Sequence, residues 1–367
     1  MHNAMPQADQ AGYAGHAESS PLVVVTADPF NAETRLDAQL GVLTPNPMFY
    51  VRDHFAMPRI DLANWRLTLD GEVARPLALT YDELRALPRR SLLVTLECAG
   101  NGRRALDPPA EGEPFGYGVA STAEWTGVPL RTVLEAAGLR ASARDVLFVG
   151  ADGGRVPEAG GATMAFERSL AVERAMHPDT LLAYAMNGEE LPTAHGFPLR
   201  VLVPGWYGVA AVKWLVRISA LATPFTGFFQ RDRYIMTHPE RGDTTATPLT
   251  TIRPRSQLVS PTDGATLPRG KVRLRGLAWS GAAPVERVEV SVDDDKTWRA
   301  ADWTSEPARY AWRGWEAELD IKAPGPQRLL ARATDRSGAT QPRTADSNPG
   351  GFGNNSMPEV LFDAVRG

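Results

Sequence analysis

An apolar strand and a glycine-rich loop meet in Ser91-Leu92-Leu93-Val94-Thr95-Leu96-Glu97-Cys98-Ala99-Gly100-Asn101-Gly102, which holds the only cysteine of the 367-residue chain. The apolar run before Cys98 is typical of a strand in a protein core. Arg103 and Arg104 follow the loop, so the thiol lies close to positive charges that favour its thiolate form. A lone cysteine is more often a small buried apolar side chain, and this stretch alone leaves both interpretations open.

The composition limits which classes of protein and metal site the chain can form. Hydrophobic residues account for 43% of the sequence and charged residues for 22%, as in ordinary globular proteins. The net charge of −4 provides no basic excess for binding nucleic acid. One cysteine cannot form an intramolecular disulfide, and it excludes zinc and iron–sulfur sites that need several thiolates.

Neither a membrane span nor an export signal is predicted. The sequence contains no run of about 18 apolar residues. Residues 1–20 are polar and small, without an apolar segment or a twin arginine near the start. We therefore expect a cytoplasmic protein, or a periplasmic one if an export signal was removed before residue 1.

Three regions are predicted along the chain. Residues 1–34 show neither helical nor strand periodicity and are expected to form a flexible arm. Residues 35–251 mix strands with short helices but lack a regular βαβ repeat, which favours an α+β fold. In residues 252–367, short alternating strands are separated by Gly, Pro and Asp turns, a pattern typical of a β-sandwich.

Four arginines with unusual neighbouring residues are candidates for binding an anion. They are Arg52, Arg103, Arg200 and Arg313. A guanidinium group presents a planar fork that matches an oxyanion, and it stays charged when partly buried. The aromatic neighbours in Tyr310-Ala311-Trp312-Arg313-Gly314-Trp315 could hold the Arg313 side chain by stacking. For any single arginine, however, a surface or structural ion pair is the commoner role.

Two histidines and a lysine can each be interpreted in two ways. His54 and His195 lie among Gly, Pro and aromatic residues, and no ligand partner stands at i+2 or i+4, so hydrogen bonding is favoured over metal binding. Lys213 ends the glycine-containing segment 203–213, which could approach a phosphate or form a tight turn between core strands. The sequence contains neither a Walker P-loop nor a Rossmann fingerprint.

Taken in order, several of these stretches resemble the sulfite oxidase family of molybdenum enzymes. The matching runs are Phe49–His54, Cys98–Arg103, His195–Arg200 and Pro204–Trp214. The resemblance extends over about residues 40 to 360. It implies a molybdopterin-binding α+β domain followed by an immunoglobulin-like dimerisation domain, which allows a homodimer.

The resemblance also implies a role for each candidate residue. Cys98 would bind molybdenum, whose other ligands would come from a pterin dithiolene and oxo groups. The residues implied to hold the pterin and its phosphate are His54, Asp152, His195, Arg200 and Lys213. The residues implied to surround the substrate oxyanion are Arg52, Arg103, Arg313 and Tyr234.

The activity implied by the resemblance is oxidation of sulfite to sulfate, with electrons passed to an external acceptor such as a cytochrome or oxygen. The sequence contains no Cys-x-x-Cys-His motif for haem attachment, and no haem is expected. The three arginines and Tyr234 suit a small dianion and so favour sulfite. Two alternatives stay open: a related molybdenum enzyme that reduces a sulfoxide or nitrate, and a non-enzymatic module with an immunoglobulin-like domain.

Three residues depart from the family pattern. Asp53 stands where family members commonly carry Asn, and this places an acidic group beside Arg52. Ala210 and Ala211 stand where many members carry Arg or another polar residue. Part of the phosphate-binding set is therefore expected to be missing or supplied by other residues.

Overall fold

The computed structural model describes residues 22–39, 41–238, 243–346 and 348–365. Residues 1–21 of the predicted flexible arm lie outside the described residues. For the rest of that segment the prediction is wrong, because β1 (Leu22–Thr26) and β2 (Asn31–Thr34) pair as an antiparallel hairpin. The β-branched run Val23–Val25 favours a strand, and all of β2 is buried against the first domain.

Within the described residues the α-helices are short. They are α1 (Tyr81–Arg85), α2 (Leu130–Ala137), α3 (Val172–Ala175) and α4 (Phe228–Arg231). A cap followed by Glu predicts a short helix over residues 80–87, and Pro129 near the start with Gly138 after the end predicts another over residues 129–137; α1 and α2 confirm both. The Thr80 side chain caps α1 by accepting a hydrogen bond from the Glu83 amide, and α2 ends at Gly138, whose φ of 70° is left-handed. No helix in this part of the chain is long and apolar enough to cross a membrane. Short 3₁₀ helices occupy Leu36–Ala38, Asn46–Met48, Arg103–Ala105, Pro157–Ala159, Thr193–His195 and Gly208–Ala210.

Two sheets form most of the first domain. One contains β5 (Arg90–Glu97), β6 (Ala120–Pro129), β9 (Leu181–Met186), β10 (Glu189–Glu190) and β11 (Arg200–Leu202). The other contains β3 (Leu67–Gly71), β4 (Leu77–Leu79), β7 (Asp145–Val156), β8 (Ala162–Ala171) and β12 (Leu215–Leu221). The first has the order β10-β9-β6-β5 with β11 also beside β9, and the second has the order β4-β3-β12-β7-β8. The two sheets and the few short helices make this domain rich in sheet.

Strand β7 differs from the prediction, and the difference positions a candidate site residue. The sequence predicts a strand that ends at Val149 and a turn over residues 150–154, but β7 continues to Val156. Its pairing with β8 shifts register between Val149 and Gly153, as at a β-bulge, and glycine tolerates such a bend. Asp152 therefore lies within the irregular part of a strand rather than in a surface turn.

In the second domain, two sheets face each other across one apolar core. A hairpin of β13 (Ile235–His238) and β14 (Asp243–Pro248) precedes them. One sheet, in the order β15-β17-β21-β20, contains β15 (Arg255–Ser260), β17 (Gly270–Trp279), β20 (Asp302–Trp303) and β21 (Arg313–Ile321). The other, in the order β16-β23-β22-β18-β19, contains β16 (Ala265–Pro268), β18 (Val285–Ser291), β19 (Arg299–Ala300), β22 (Gly325–Asp335) and β23 (Val360–Val365). Leu274 and Trp315 of the first sheet share a buried cluster with Leu329 and Phe362 of the second, so the two sheets form a β-sandwich.

The main apolar core continues across the boundary between the two domains. Trp279, Trp312 and Phe352 belong to the same buried cluster as the interior of the first domain. Tyr310 also forms a β-bridge with Val94, which lies in β5. The sandwich is thus packed directly against the strand that leads to the cysteine.

Candidate active site

A pocket of about 70 Å³ lies beside the end of β5. Seven of the residues implied by the family resemblance line it: Arg52, His54, Cys98, His195, Arg200, Lys213 and Tyr234. Residues that are distant in sequence therefore meet at one site. The structure shows this grouping, while the individual roles of these residues stay predictions.

The loop after β5 presents the thiol to the pocket. The Cys98 amide donates to the Val119 carbonyl at 2.8 Å, which fixes the residue in line with the sheet. Its Sγ atom accepts a hydrogen bond from the Gly100 amide at 3.4 Å. Burial raises the pKa of the Cys98 thiol, and the charges of Arg52 and Arg103 act in the opposite direction. A soft metal ion would displace the thiol proton, because the thiolate is the form that binds metals.

Lys213 lies between two buried carboxyl groups. Its ammonium group forms an ion pair with Asp53 and donates to the Ala194 carbonyl at 2.9 Å. The Oδ2 atom of Asp53 and the Oδ1 atom of Asp152 are buried without a hydrogen-bond partner among the described residues. Burial raises the pKa of Asp152 to about 7, although the charge of Lys213 opposes this. Neither carboxyl group lines the pocket, but the charge of Lys213, which does line it, acts on both. A buried acceptor without a partner indicates a hydrogen-bond donor that the described residues do not supply.

Arg200 and His195 form a second polar group on the pocket wall. The Arg200 guanidinium donates to the His195 carbonyl at 2.9 Å and to the Ala211 carbonyl at 3.1 Å, and its Nε atom has no partner among the described residues. Burial lowers the pKa of Arg200 to about 10, so the group stays cationic at neutral pH. Burial and the charge of Lys213 lower the pKa of His195 to about 3, so its imidazole is neutral. A charged Arg200 beside Lys213 provides the positive potential that a phosphate needs.

These residues fit a molybdenum–pterin cofactor. No group of three or more His, Cys, Asp or Glu side chains in the described part of the chain could hold a metal ion by itself. The pocket instead offers one soft thiol and two cations suited to a phosphate. Close to Lys213 but outside the pocket lining, Asp53 and Asp152 each carry an unpaired carboxylate oxygen suited to an amine. The metal would therefore take its remaining ligands from the cofactor.

The opposite side of the pocket carries groups suited to an oxyanion. The His54 Nε2 atom and the Tyr234 hydroxyl are hydrogen-bonded at 2.5 Å. Burial, and then the charge of Arg52, hold the pKa of His54 well below its ordinary value, so the imidazole is neutral. The Arg52 guanidinium donates to the Asn31 side chain at 3.2 Å. A cation and a hydroxyl thus lie beside the thiol.

Arg103 lies directly behind this side of the pocket. It is 5% exposed, and its guanidinium donates to the carbonyls of Gly350 at 3.1 Å and Glu113 at 2.8 Å. The guanidinium carbon also lies 5.0 Å from the ring centre of Phe352. Because its charge acts on Cys98, Arg103 belongs with the pocket although it does not line the surface.

Arg313 does not line this pocket. The expectation that it surrounds the substrate oxyanion is therefore wrong. Its Nε and Nη2 atoms donate to the Ser305 carbonyl at 3.3 and 3.1 Å, and its guanidinium lies 3.9 Å from the ring centre of Trp303 on the neighbouring strand. Successive residues of an extended chain point to opposite sides. Trp312 enters the domain interface, whereas Arg313 points away from it and stays within the sandwich.

Sequence reasoning missed three residues that contact the site. They are Glu97, Arg233 and Phe352. Glu97 gave a signal, because an acidic residue at the end of an apolar strand needs buried partners. Arg233 directly precedes Tyr234 and lines the second cavity, which adjoins the pocket. Phe352 lies in a Gly-rich segment far from the other site residues in sequence.

The carboxylate of Glu97 joins the cysteine loop to the second domain. It accepts hydrogen bonds from Asn101 at 2.9 Å, from Arg255 Nη1 at 3.2 Å and from Trp279 Nε1 at 2.8 Å. Burial raises the pKa of Glu97, and Arg255 opposes this shift.

Backbone and side-chain contacts of the segment after residue 350 add to this attachment. The Gly353 amide donates to the Ala99 carbonyl at 2.8 Å, and the Asn354 side chain donates to the Gly102 carbonyl at 3.0 Å. The second domain therefore holds both ends of the short loop that carries Cys98.

Comparison with known proteins supports the assignment of both domains. A family model described as an oxidoreductase molybdopterin binding domain matches residues 54–229. A second, described as a Mo-co oxidoreductase dimerisation domain, matches residues 248–361.

Two relatives and one solved structure resemble nearly the whole chain. Sulfite oxidase from Gallus gallus is 36% identical over 91% of this chain and 76% of that protein. Mitochondrial sulfite oxidase from Mus musculus is 37% identical over 86% of this chain and 60% of that protein, so the chain spans only part of these relatives. The crystal structure of the sulfane dehydrogenase SoxCD from Paracoccus pantotrophus matches with a TM-score of 0.83 and 26% identity, covering 100% of this chain and 96% of that chain. The chain therefore belongs to the sulfite oxidase family of molybdenum-cofactor oxidoreductases.

Proposed function

We propose that the protein oxidises sulfite to sulfate at a molybdenum–pterin centre held by Cys98, and passes the electrons to an external acceptor. The observation that carries the proposal is the shared pocket: the buried thiol of Cys98, the cations of Arg200 and Lys213 and the Arg52 side chain all line it. When bound, the cofactor supplies oxygen-atom transfer and accepts two electrons. The overall reaction takes up one water, and it releases sulfate, two protons and two electrons.

The deeper part of the pocket would bind the cofactor. Arg200 and Lys213 would bind its phosphate, since both are buried cations at the pocket wall. Asp152 would accept a hydrogen bond from the pterin amine through its unpaired Oδ1 atom. The His195 imidazole is neutral, and its Nε2 atom is hydrogen-bonded to the Asn46 carbonyl oxygen at 3.4 Å. It would therefore position the pterin without adding charge. The Asp53 carboxylate reduces the positive charge of Lys213 through their ion pair.

The outer part of the pocket would bind the substrate. Arg52 and Arg103 would stabilise the sulfite dianion, and because backbone carbonyls and Asn31 already hold both groups in place, little entropy is lost on binding. The Tyr234 hydroxyl can donate to a substrate oxygen when His54 carries its proton on Nε2, because the imidazole then donates to the tyrosine oxygen and leaves the hydroxyl proton free.

A steady-state assay with sulfite and ferricyanide tests the proposal directly. We expect saturable turnover from protein purified with stoichiometric molybdenum, with two ferricyanide ions reduced per sulfate formed. Protein from a host that cannot make the cofactor serves as the matched control. Fully metallated protein without turnover would exclude sulfite as the substrate. A preparation that lacks molybdenum despite a cofactor-proficient host would favour the non-enzymatic alternative.

A second candidate function is oxidation of a sulfane sulfur. The likeness to SoxCD extends over the whole chain, and a second cavity of about 280 Å³ adjoins the pocket and gives room for a substrate larger than sulfite. Assaying glutathione persulfide beside sulfite separates the two, because the true substrate should have the higher kcat/KM. The reductive alternative is tested in the same preparation with reduced viologen and either nitrate or a sulfoxide.

The packed sheets of the second domain support a proposal about its fold type and its oligomeric state. We infer that its sandwich is immunoglobulin-like and forms a homodimer, supported by the matching dimerisation-domain model and by the two packed sheets. Sedimentation of the purified protein would test the dimer. An external cytochrome or oxygen as the acceptor, the absence of haem, and a cytoplasmic location stay predictions from the sequence.

A further inference from the structure

A second cavity leads from the surface into the pocket. Arg52 and His54 line both spaces, so the two adjoin at these side chains. The outer cavity, which we call the vestibule, is also lined by Glu113, Glu158 and Arg233. A substrate that approaches from the vestibule meets these charged groups before it meets Cys98.

Arg233 lies where the vestibule reaches the substrate side of the pocket. Its side chain is 22% exposed, so an incoming anion can reach it. Its guanidinium carbon lies 5.9 Å from the ring centre of Phe352, and the same ring lies 5.0 Å from the guanidinium carbon of Arg103 and 4.7 Å from the ring centre of Tyr234. Phe352 thus joins the two arginines and the tyrosine in one cluster.

The charge of Arg233 reaches the groups on the substrate side. Burial is the main cause that lowers the pKa of His54 and of Arg103, and the charge of Arg233 lowers both further. This effect needs the guanidinium to lie close to both groups. It agrees with the geometry around Phe352.

Among the described residues, Glu158 is the carboxylate that pairs with Arg233, and the contact is weak. One Nη2 atom lies 3.5 Å from the Glu158 carboxylate, whose side chain is 50% exposed. An exposed ion pair of this kind adds little stability, and a competing anion can displace it. Arg155 also lines the vestibule, but it is exposed and its Nε atom already donates to the Gly161 carbonyl.

We propose that Arg233 is a specificity-determining residue that captures the substrate oxyanion at the inner end of the vestibule, with Glu158 as its displaceable counter-ion. The inference rests on the proposed function for the identity of the anion. Arg233 would thus be the third arginine that acts on the substrate oxyanion, beside Arg52 and Arg103. The sequence assigned this role to Arg313. The captured anion then moves to Arg52 and Arg103 as the Glu158 contact re-forms.

Steady-state kinetics of the molybdenum-loaded protein test this role. In Arg233→Gln we expect KM for sulfite to rise about tenfold while kcat stays within about twofold, because a charge-assisted contact to the incoming anion is lost. In Glu158→Gln we expect KM to fall about twofold to threefold, because the competing carboxylate is gone. Arg231→Gln is the matched control, since Arg231 is an exposed arginine two residues away that lines neither cavity.

Further measurements separate a binding role from a structural one. Arg233→Lys should recover most of the lost affinity, and the Glu158→Gln effect should vanish in the Arg233→Gln background. If Arg233→Gln does not fold, Arg233→Lys and Glu158→Gln still test the inference. An unchanged KM in both Arg233→Gln and Glu158→Gln would overturn it.

Sulfate binding keeps this test independent of the proposed function. Calorimetric titration of the holoenzyme with sulfate should give weaker binding in Arg233→Gln and tighter binding in Glu158→Gln. If the wild-type protein does not oxidise sulfite, the proposed function fails, but the sulfate titration still decides whether Arg233 captures an oxyanion. Equal sulfate affinities in the wild type and both variants would refute the capture role.

Discussion

The two domains contribute to the pocket in different ways. Every residue that lines the pocket lies between residues 49 and 234, in the first domain. The second domain instead holds the cysteine loop from behind, through Arg255 and Trp279 on Glu97 and through Gly353 on Ala99. The first domain thus supplies the side chains that line the pocket, and the second domain supplies contacts that hold the cysteine loop in place.

The largest effect is expected at the centre of the first domain. Replacing the thiol by a hydroxyl in Cys98→Ser removes the only thiolate ligand that the chain can offer. We expect sulfite oxidation to fall to the background rate while the thermal unfolding midpoint stays near that of the wild type. Molybdenum content and steady-state turnover measure the outcome, and substantial remaining turnover would contradict the ligand assignment.

A variant at Glu97 tests the contribution of the second domain. In Glu97→Ala the buried Arg255 loses its ion-pair partner and Trp279 loses its acceptor. Breaking a buried pair in this way typically costs about 3–5 kcal/mol. We expect that loss in the free energy of unfolding in urea, together with a lower molybdenum content.

The matched control for Glu97→Ala is Glu124→Ala. Glu124 lies on the adjacent strand β6 with an exposed side chain. The free energy of unfolding of the Glu124→Ala protein should stay close to that of the wild type. Similar losses in both variants would mean that the contacts of Arg255 and Trp279 with Glu97 are not what stabilises the cysteine loop.

Two arginines in contrasting positions sharpen the comparison further. In Arg103→Gln we expect kcat/KM for sulfite to fall by about 10–100-fold, the equivalent of one charge-assisted contact of about 1.5–3 kcal/mol. In Arg313→Gln we expect kcat/KM to stay unchanged, because its guanidinium contacts Ser305 and Trp303 within the sandwich. A comparable fall in both variants would return Arg313 to the substrate site.

The smallest effect is expected from the pH dependence of one buried imidazole. The pKa of His195 falls from 6.5 in the unfolded chain to about 3 in the fold. Its contribution to stability is therefore fully present above pH 6.5 and is lost progressively as the pH falls, because the unfolded state binds the proton more strongly. Between pH 7 and pH 5 this group should lower the free energy of unfolding by about 2 kcal/mol. His195→Gln should lack that component, and equal pH slopes in urea unfolding would argue against a neutral buried His195.

Local patterns in the sequence were sufficient to predict much of the fold. The Thr80 cap and Gly138 marked the helix ends, and alternating residues marked the strands of the sandwich. The hairpin at residues 22–34 was missed, because its stability comes from burial of Asn31–Thr34 against the first domain, which short-range periodicity does not show.

The candidate site was predicted best where the residues lie in distinctive local runs. Cys98, His195 and Lys213 all reach the pocket. Partners that are distant in sequence could not be predicted: Arg255 and Trp279 lie 158 and 182 residues after Glu97. The placement of Arg313 failed for a related reason, because strand alternation and the position of Trp303 decide which way its side chain points.

The attachment of the cysteine loop also decides where the protein can be cut. A shorter protein that ends near residue 250 would keep every residue lining the pocket. It would nevertheless lose the hydrogen bonds from Arg255, Trp279, Gly353 and Asn354 that hold residues 97–102. We therefore expect a protein cut at the boundary between the two family modules to lose activity, although it keeps the whole pocket lining.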